Sequence, residues 1–156
     1  MSLEKAKQHL AKYNLQDQII LLDESSATVE LAAAALGVKP ERITKTMAFL
    51  LDERVILILT AGDVKIDNIK YRQKFSSKAK MVPYENCSEL VGHPAGGVCP
   101  FGINENITVY LDESLQRFSS VFPACGTGNS AIELTIAQLE QCSNYLEWID
   151  VTKQKD

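Results

Sequence analysis

Residues 43–60, ITKTMAFLLDERVILILT, contain the strongest structural signal in the chain. Two runs rich in aliphatic and β-branched residues, Ile43 to Leu51 and Val55 to Thr60, are joined by Asp52-Glu53-Arg54. This pattern predicts a β-hairpin. Because the second run is continuously apolar, it predicts a central strand covered on both faces. The hairpin therefore needs neighbouring strands and packing layers on each side.

Helix and strand signals alternate on both sides of this hairpin. Before it, the pattern predicts a helix over residues 2–13 and a strand over 19–22. Thr28 is a suitable N-cap, and Gly37 a suitable C-terminal stop, for an alanine-rich helix. After it, the predicted elements are a helix beginning near Ile66, strands 78–82, 107–111, 119–124, 132–135 and 146–151, and helices 83–91 and 137–145. Hairpins combined with irregular crossovers predict an α+β fold with a mixed sheet.

Length and composition predict a single domain over residues 1–156. The chain has 156 residues, of which 46% are hydrophobic and 23% charged, and this balance excludes intrinsic disorder. The net charge of −4 argues against a protein that coats duplex nucleic acid. The longest apolar run, Val55 to Leu59, is far shorter than the roughly 20 residues of a membrane span. With no apolar stretch near the amino terminus, we expect a cytoplasmic protein without membrane association.

The four cysteines, Cys87, Cys99, Cys125 and Cys142, match no zinc-binding spacing. We therefore expect reduced thiols, no metal and no cofactor. Cys99 and His93 lie in one loop, where they form either a thiolate–imidazole pair or a buried thiol beside a structural histidine.

A basic stretch runs from Lys65 to Lys80 and contains six basic residues against one acid, Asp67. Two interpretations are open. The stretch is either a solvated helix face or a surface that contacts phosphates on an otherwise acidic protein.

Two glycine-rich loops, residues 92–102 and 124–130, are the next candidates for function. Glycine lets a backbone approach a ligand closely and turn its N–H groups inward, although both loops could equally be tight turns. The second loop imitates a dinucleotide fingerprint, Gly126-x-Gly128-x-x-Ala131. A strand-like segment follows it where the fingerprint requires a helix, so a nucleotide-binding fold is not favoured.

Lys45 is the most unusual charged residue of the hairpin. Side chains alternate along a strand, so Lys45 shares a face with Met47 and Phe49. It is either a lysine whose ammonium reaches solvent past the core, or a fixed cation that stabilises an oxyanion.

Taken together, three segments resemble the YbaK/prolyl-tRNA synthetase-associated (aminoacyl-tRNA editing) domain family. They are Lys45-Thr46-Met47, the loop from Gly96 to Gly102, and the stretch from Gly126 through Ile132-Glu133-Leu134, in this order and at this spacing. The resemblance is strongest over residues 20–150. It implies a barrel-like mixed β-sheet with flanking helices, and an aminoacyl-tRNA deacylase that hydrolyses the ester bond of mischarged aminoacyl-tRNA in trans.

The resemblance also implies the site. Lys45 matches the lysine that the family needs for deacylation. The expected substrate-binding residues are Thr46, His93, Gly96, Gly97, Val98, Cys99, Gly102, Gly126 and Asn129. The expected contacts to tRNA phosphates are Lys65, Lys70, Arg72 and Lys74. The expected partner is the acceptor end of an aminoacyl-tRNA, and a synthetase partner is left open.

Some positions depart from the family pattern. Ala124 and Ala131 stand where the cysteine-specific branch often has serine and aspartate, and Cys99 stands where serine is common. These differences motivate a second hypothesis, a binding module for aminoacyl-tRNA or a synthetase without catalysis. They also leave the edited amino acid, the tRNA and the oligomeric state undetermined.

An aminoacyl ester is already activated, so its hydrolysis needs positioning and oxyanion stabilisation more than a strong nucleophile. We expect the Lys45 ammonium and inward N–H groups from residues 96–99 to supply both. The attacking group would be a bound water or the terminal ribose hydroxyl.

Overall fold

The computed structural model describes residues 2–155. Its helices are α1 (Ser2–Ala11), α2 (Val29–Leu36), α3 (Asn68–Phe75), α4 (Cys87–Leu90) and α5 (Ile136–Cys142). Its strands are β1 (Ile19–Leu21), β2 (Thr44–Leu51), β3 (Arg54–Ala61), β4 (Val64–Ile66), β5 (Thr108–Asp112), β6 (Ser120–Val121), β7 (Ser130–Ile132), β8 (Leu134–Thr135), β9 (Glu147–Ile149) and β10 (Thr152–Gln154). The predicted α+β class is confirmed.

The predicted hairpin forms one side of a four-stranded sheet with the order β2-β3-β5-β9. β2 and β3 pair antiparallel, with Lys45 opposite Thr60. β3 and β5 pair in parallel, as do β5 and β9. β3 is therefore an inner strand, and Ile56 to Leu59 are fully buried, as the apolar run predicts.

The other strands form three two-stranded pairs, β1 with β7, β4 with β10, and β6 with β8. Within residues 2–155 none of these sheets closes on itself, so the barrel-like description is not confirmed. No helix in the same range is long and apolar enough to cross a membrane.

Alternation along the hairpin divides the apolar residues between two main clusters. Ala48, Leu57 and Leu59 belong to the larger cluster, to which α1 and α5 also contribute buried residues. Phe49 and Ile58 point the other way, into a cluster that α3 closes. Because consecutive strand residues face opposite sides, one hairpin can serve both layers.

Local signals set the ends of α2 as predicted. The Thr28 hydroxyl accepts a hydrogen bond from the Leu31 N–H, and Gly37 ends the helix in the left-handed region with φ of 69°. Thr28 also lies at the wall of the cavity described below, so this cap fixes one border of the site.

One predicted strand is wrong in extent. Residues 78–82 form only an isolated bridge, Phe49 with Met81, because Pro83 follows at once and interrupts further pairing. Another element, β10, was not predicted; it pairs with β4, which is distant in sequence.

Candidate active site

The edge of β2 borders a cavity of about 580 Å³. The start of α2, residues 81–84 and the first glycine loop complete its wall. Four of the predicted site residues line it, namely Lys45, Thr46, Gly96 and Val98. From the second glycine-rich segment, Ala124, Ser130 and Ala131 also line it. The structure thus brings the lysine and both loops to one cavity.

The cavity exists because the outer edge of β2 is paired at its ends and open between them. At one end, the Thr44 N–H donates to the Phe122 carbonyl at 3.1 Å. At the other, the Val82 N–H donates to the Ala48 carbonyl at 2.9 Å. Backbone groups along a strand alternate in direction, so the N–H and C=O of Thr46 point the same way as those of Thr44 and Ala48. Thr46 therefore turns its backbone N–H toward the cavity.

Lys45 is half-buried at this open edge. Its ammonium donates a hydrogen bond to the Val64 carbonyl at the start of β4. Burial lowers its pKa from 10.5 to about 8, and the neighbouring Lys155 ammonium contributes in the same direction. An ammonium has three donors, so two remain for a ligand.

Three hydroxyl groups of the cavity wall have no hydrogen-bond partner among residues 2–155. They belong to Ser26, Thr44 and Thr46. Ser26 is 8% exposed and Thr44 5% exposed. Buried hydroxyls are normally paired, because leaving one unpaired costs about 1–3 kcal/mol. Their concentration at one cavity is the mark of a site that binds a polar ligand or ordered water.

The two glycine loops pack directly against each other behind this wall. The Gly126 N–H donates to the Gly97 carbonyl at 3.0 Å. A Cβ on Gly97 would lie 2.5 Å from the Thr127 nitrogen, so only glycine permits this approach. The Gly97 N–H itself donates to the Pro94 carbonyl at 3.0 Å and is therefore not available to an oxyanion.

The remaining predicted substrate-binding residues lie outside the cavity lining. They are His93, Gly97, Cys99, Gly102, Gly126 and Asn129. Gly102 and Gly126 pack against the backbone of α1, at the Lys5 and Ser2 carbonyls. The Asn129 amide oxygen accepts from the Thr127 hydroxyl at 2.9 Å. These residues join the loops to one another and to α1.

Cys99 and His93 do not form the arrangement of a thiolate nucleophile. Both are fully buried. Cys99 Sγ lies 3.7 Å and His93 Nε2 2.6 Å from the Phe101 carbonyl oxygen, and His93 Nδ1 has no hydrogen-bond partner among residues 2–155. Burial raises the pKa of the Cys99 thiol to about 12 and lowers that of the His93 imidazole. A neutral thiol beside a neutral imidazole is a structural pair, so the thiol hydrolase is not favoured.

The predicted phosphate-contacting residues lie away from the cavity, and two of them are already paired. Lys70 binds the Asp150 carboxylate at 3.0 Å, and Lys74 binds Glu147 at 2.9 Å. Arg72 borders a separate hollow on α3, and Lys65 lies on β4. Two of the six basic residues between Lys65 and Lys80 are thus engaged by acidic residues.

Ser26 and Thr44, together with the exposed rim residues Met81 and Tyr84, are the site residues that sequence reasoning missed. Thr44 carried a usable signal, since it shares a strand face with Thr46 next to Lys45. No sequence pattern pointed to Ser26, because tertiary packing alone brings its loop to the cavity. No cluster of three or more possible metal ligands occurs within residues 2–155.

Comparison with known proteins places this geometry in context. Residues 23–142 match the sequence model of the aminoacyl-tRNA editing domain. The chain is 49% identical over 154 residues to the uncharacterized protein YwhH of Bacillus subtilis, with 98% of each chain covered. It is 28% identical to the proline–tRNA ligase of Bacillus cytotoxicus, covering 91% of this chain but only 26% of the ligase.

Two solved structures share the fold over nearly their whole length. One, described as a candidate trans-editing enzyme for prolyl tRNA synthetase, superposes with a TM-score of 0.86 at 25% identity and 97% coverage of both chains. The other, the hypothetical protein APE2540, superposes with a TM-score of 0.84 at 24% identity, covering 96% of this chain and 99% of that one.

Proposed function

The chain belongs to the aminoacyl-tRNA editing domain family, and on that basis we propose that it hydrolyses the ester bond of mischarged aminoacyl-tRNA in trans. One observation carries the proposal: the same cavity is lined by a half-buried ammonium, an open strand edge and three hydroxyls without a partner among residues 2–155. Such a site is suited to a polar, already activated carbonyl compound. We further propose that the chain acts as one domain and in the cytoplasm, where charged tRNA is used.

Oxyanion stabilisation is the role that we propose for Lys45. Water attacks the ester carbonyl, the carbonyl π electrons move to its oxygen, and a tetrahedral oxyanion forms. The Lys45 ammonium and the Thr46 N–H are donors at the open edge of β2 and would bind that oxygen. The oxyanion electrons then re-form the carbonyl and the ester C–O bond breaks. The ribose oxygen leaves with the proton that the attacking water gives up, and the products are the free amino acid and uncharged tRNA.

Within this proposal the three hydroxyls hold the attacking water and the polar part of the amino acid. A hydroxyl both donates and accepts, so Ser26, Thr44 and Thr46 can orient a water molecule without a charged base. Positioning of this kind lowers the activation barrier, because the entropy of bringing the reactants together is already lost on binding. It makes the Gly97 N–H, one of the groups expected to face the substrate, unnecessary, since that N–H is bound to the Pro94 carbonyl.

Selectivity in this proposal comes from the size of the apolar part of the cavity. Ala32, Ala124 and Ala131 line it together with bulkier residues such as Ile43 and Phe122. Apolar contacts separate side chains that differ by one methylene by about 1–3 kcal/mol, so such a pocket discriminates mainly by excluding what does not fit. Similarity to proline–tRNA ligases makes mischarged tRNA for proline the first substrate to test.

Release of amino acid from a panel of mischarged tRNAs tests the proposal. We expect wild-type protein to hydrolyse at least one member, Lys45→Ala to lose the activity, and Lys70→Ala to retain it, because the Lys70 ammonium is paired with Asp150 outside the cavity. Hydrolysis of no member by wild-type protein would overturn it. Tight tRNA binding without turnover would then support the alternative motivated by Ala124 and Ala131, a non-catalytic binding module for aminoacyl-tRNA or a synthetase.

A further inference from the structure

Two large apolar side chains stand exposed on the rim of the cavity. Tyr84 is 77% exposed and Met81 57% exposed, and both line the cavity. An exposed aromatic ring at the mouth of this cavity offers a flat surface where an entering ligand passes. The catalytic proposal gives these two residues no part.

The backbone beneath this rim is held firmly to the strand that carries Lys45. The Leu50 N–H donates to the Lys80 carbonyl at 2.8 Å, and the Val82 N–H donates to the Ala48 carbonyl at 2.9 Å. Pro83 precedes Tyr84, and a helical turn starts there with the Cys87 N–H bonded to the Tyr84 carbonyl. The ring therefore sits on a fixed support, which reduces the entropy cost of binding through it.

Two lysines precede the rim residues in sequence: Lys80 is next to Met81, and Lys78 borders the separate hollow on α3. Lys78 and Lys80 are exposed, and neither forms an ion pair within the described part of the chain. On α3, by contrast, Lys70 and Lys74 are both paired with acidic residues. Proteins bind single-stranded nucleic acid by combining an aromatic platform, on which the bases stack, with lysines that pair with the phosphates.

We infer that Tyr84, supported by Met81, stacks the terminal base of the single-stranded acceptor end while Lys78 and Lys80 contact its phosphates. The inference rests on the proposed function, because the ester to be cut is attached to that terminal nucleotide. With the base held at the rim, the ester is directed inward toward Lys45. The rim, and not the paired lysines Lys70 and Lys74 of α3, is then the main tRNA contact near the reaction.

Steady-state deacylation of a mischarged tRNA by Tyr84 variants tests the base contact. Stacking on an aromatic ring is lost in Tyr84→Ala, so KM should rise by roughly 5- to 100-fold while kcat stays within about twofold. Tyr84→Phe, which keeps the ring, should behave as wild type. The matched control is Leu146→Ala, since Leu146 is 62% exposed and lies outside the cavity.

A second substrate separates base binding from damage to the site. Hydrolysis of the same amino acid as its methyl ester, which has no base, should be unchanged in Tyr84→Ala. An unchanged KM for the tRNA, or an equal loss with both substrates, would overturn the inference.

Binding of a labelled RNA hairpin ending in single-stranded CCA tests the surface even if wild-type protein hydrolyses nothing. We expect at least fivefold weaker binding for Tyr84→Ala. For Lys78→Ala and Lys80→Ala we expect a weaker dependence of affinity on salt. The slope of log K against log salt concentration should be shallower by about 0.7 for each phosphate that the variant no longer neutralises. Equal RNA affinity in all variants would contradict the inference. So would conversion of a dimer to a monomer by Tyr84→Ala without any change in RNA binding, because Tyr84 would then serve a contact between two copies of the chain. Absence of turnover with intact, Tyr84-dependent binding would instead count against the proposed hydrolysis alone.

Discussion

The wall of the cavity, where the resemblance predicts only Lys45, Thr46, Gly96 and Val98 as site residues, and the loop layer behind it differ in how their polar atoms are used. On the wall, the hydroxyls of Ser26, Thr44 and Thr46 have no partner among the described residues. Behind it, the Gly97 N–H, the Cys99 thiol and the His93 Nε2 are each directed at a backbone carbonyl. The comparison teaches that glycine and cysteine here build the support, whereas unsatisfied hydroxyls and a half-buried lysine mark the reactive side.

The loop layer should respond to substitution by losing stability. Gly97→Ala places a Cβ 2.5 Å from the Thr127 nitrogen, so the two loops must separate. We expect a loss of about 3 kcal/mol and a fall in Tm of roughly 10 °C, measured by thermal unfolding. Gly128→Ala is the matched control, because its Cβ would meet only Ala27 at an ordinary 3.5 Å. Equal Tm values for the two variants would show that the loops do not depend on close contact.

The wall should respond by losing activity without losing stability. Ser26→Ala and Thr44→Val each remove a hydroxyl that has no protein partner, so stability should be unchanged or slightly higher. If these hydroxyls hold water or substrate, kcat/KM for deacylation should fall roughly tenfold. Ser143→Ala is the control, since its hydroxyl is also buried and unpartnered but lies outside the cavity. Full activity in both wall variants would remove the hydroxyls from the mechanism.

The pH dependence of the reaction should report Lys45. Its pKa is lowered from 10.5 to about 8, so the ammonium is present below pH 8 and is lost as the pH rises through that value. After subtraction of uncatalysed ester hydrolysis, kcat/KM should therefore fall above pH 8, approaching tenfold per pH unit. In Lys45→Arg the side chain stays charged, so any remaining activity should lack this decline. A rate that keeps rising through pH 9 in wild-type protein would indicate that the free amine, not the ammonium, is the active form.

Cys99→Ala should have the smallest effect on catalysis of the changes considered. The thiol is fully buried and its pKa is raised to about 12, so it supplies no nucleophile near neutral pH. We expect kcat/KM within about twofold of wild type and a stability loss of about 1 kcal/mol from the small cavity. Cys142→Ala, another buried cysteine outside the cavity lining, provides the comparison. Loss of turnover in Cys99→Ala but not in Cys142→Ala would support the thiol hydrolase hypothesis instead.

Much of the fold was predictable because its signals are local. The Thr28 cap, the Gly37 stop and the apolar run of β3 each lie within one element, and each was confirmed. The pairing of β4 with β10 was not predictable, since it joins segments about 90 residues apart through a few ordinary polar and apolar residues. Residues 78–82 have the composition of a strand, but Pro83 and an edge position limit them to one bridge.

Part of the cavity lining was predictable from the sequence. Alternation along β2 singles out Lys45, the family resemblance adds Thr46, Gly96 and Val98, and all four line the cavity. His93 and Cys99 have residue types as reactive as any in the chain, but α1 and the second loop cover them, and that coverage depends on tertiary packing. The same packing pairs the α3 lysines with acids that are distant in sequence, Asp150 and Glu147.

The central claim is that the half-buried Lys45 ammonium at the open edge of β2 stabilises the oxyanion. Single-turnover deacylation by Lys45→Ala tests this claim most directly. Loss of one such donor should slow the chemical step by roughly 10²- to 10³-fold while Tm stays near that of wild type. A folded Lys45→Ala protein that releases amino acid from mischarged tRNA within threefold of the wild-type rate would contradict it.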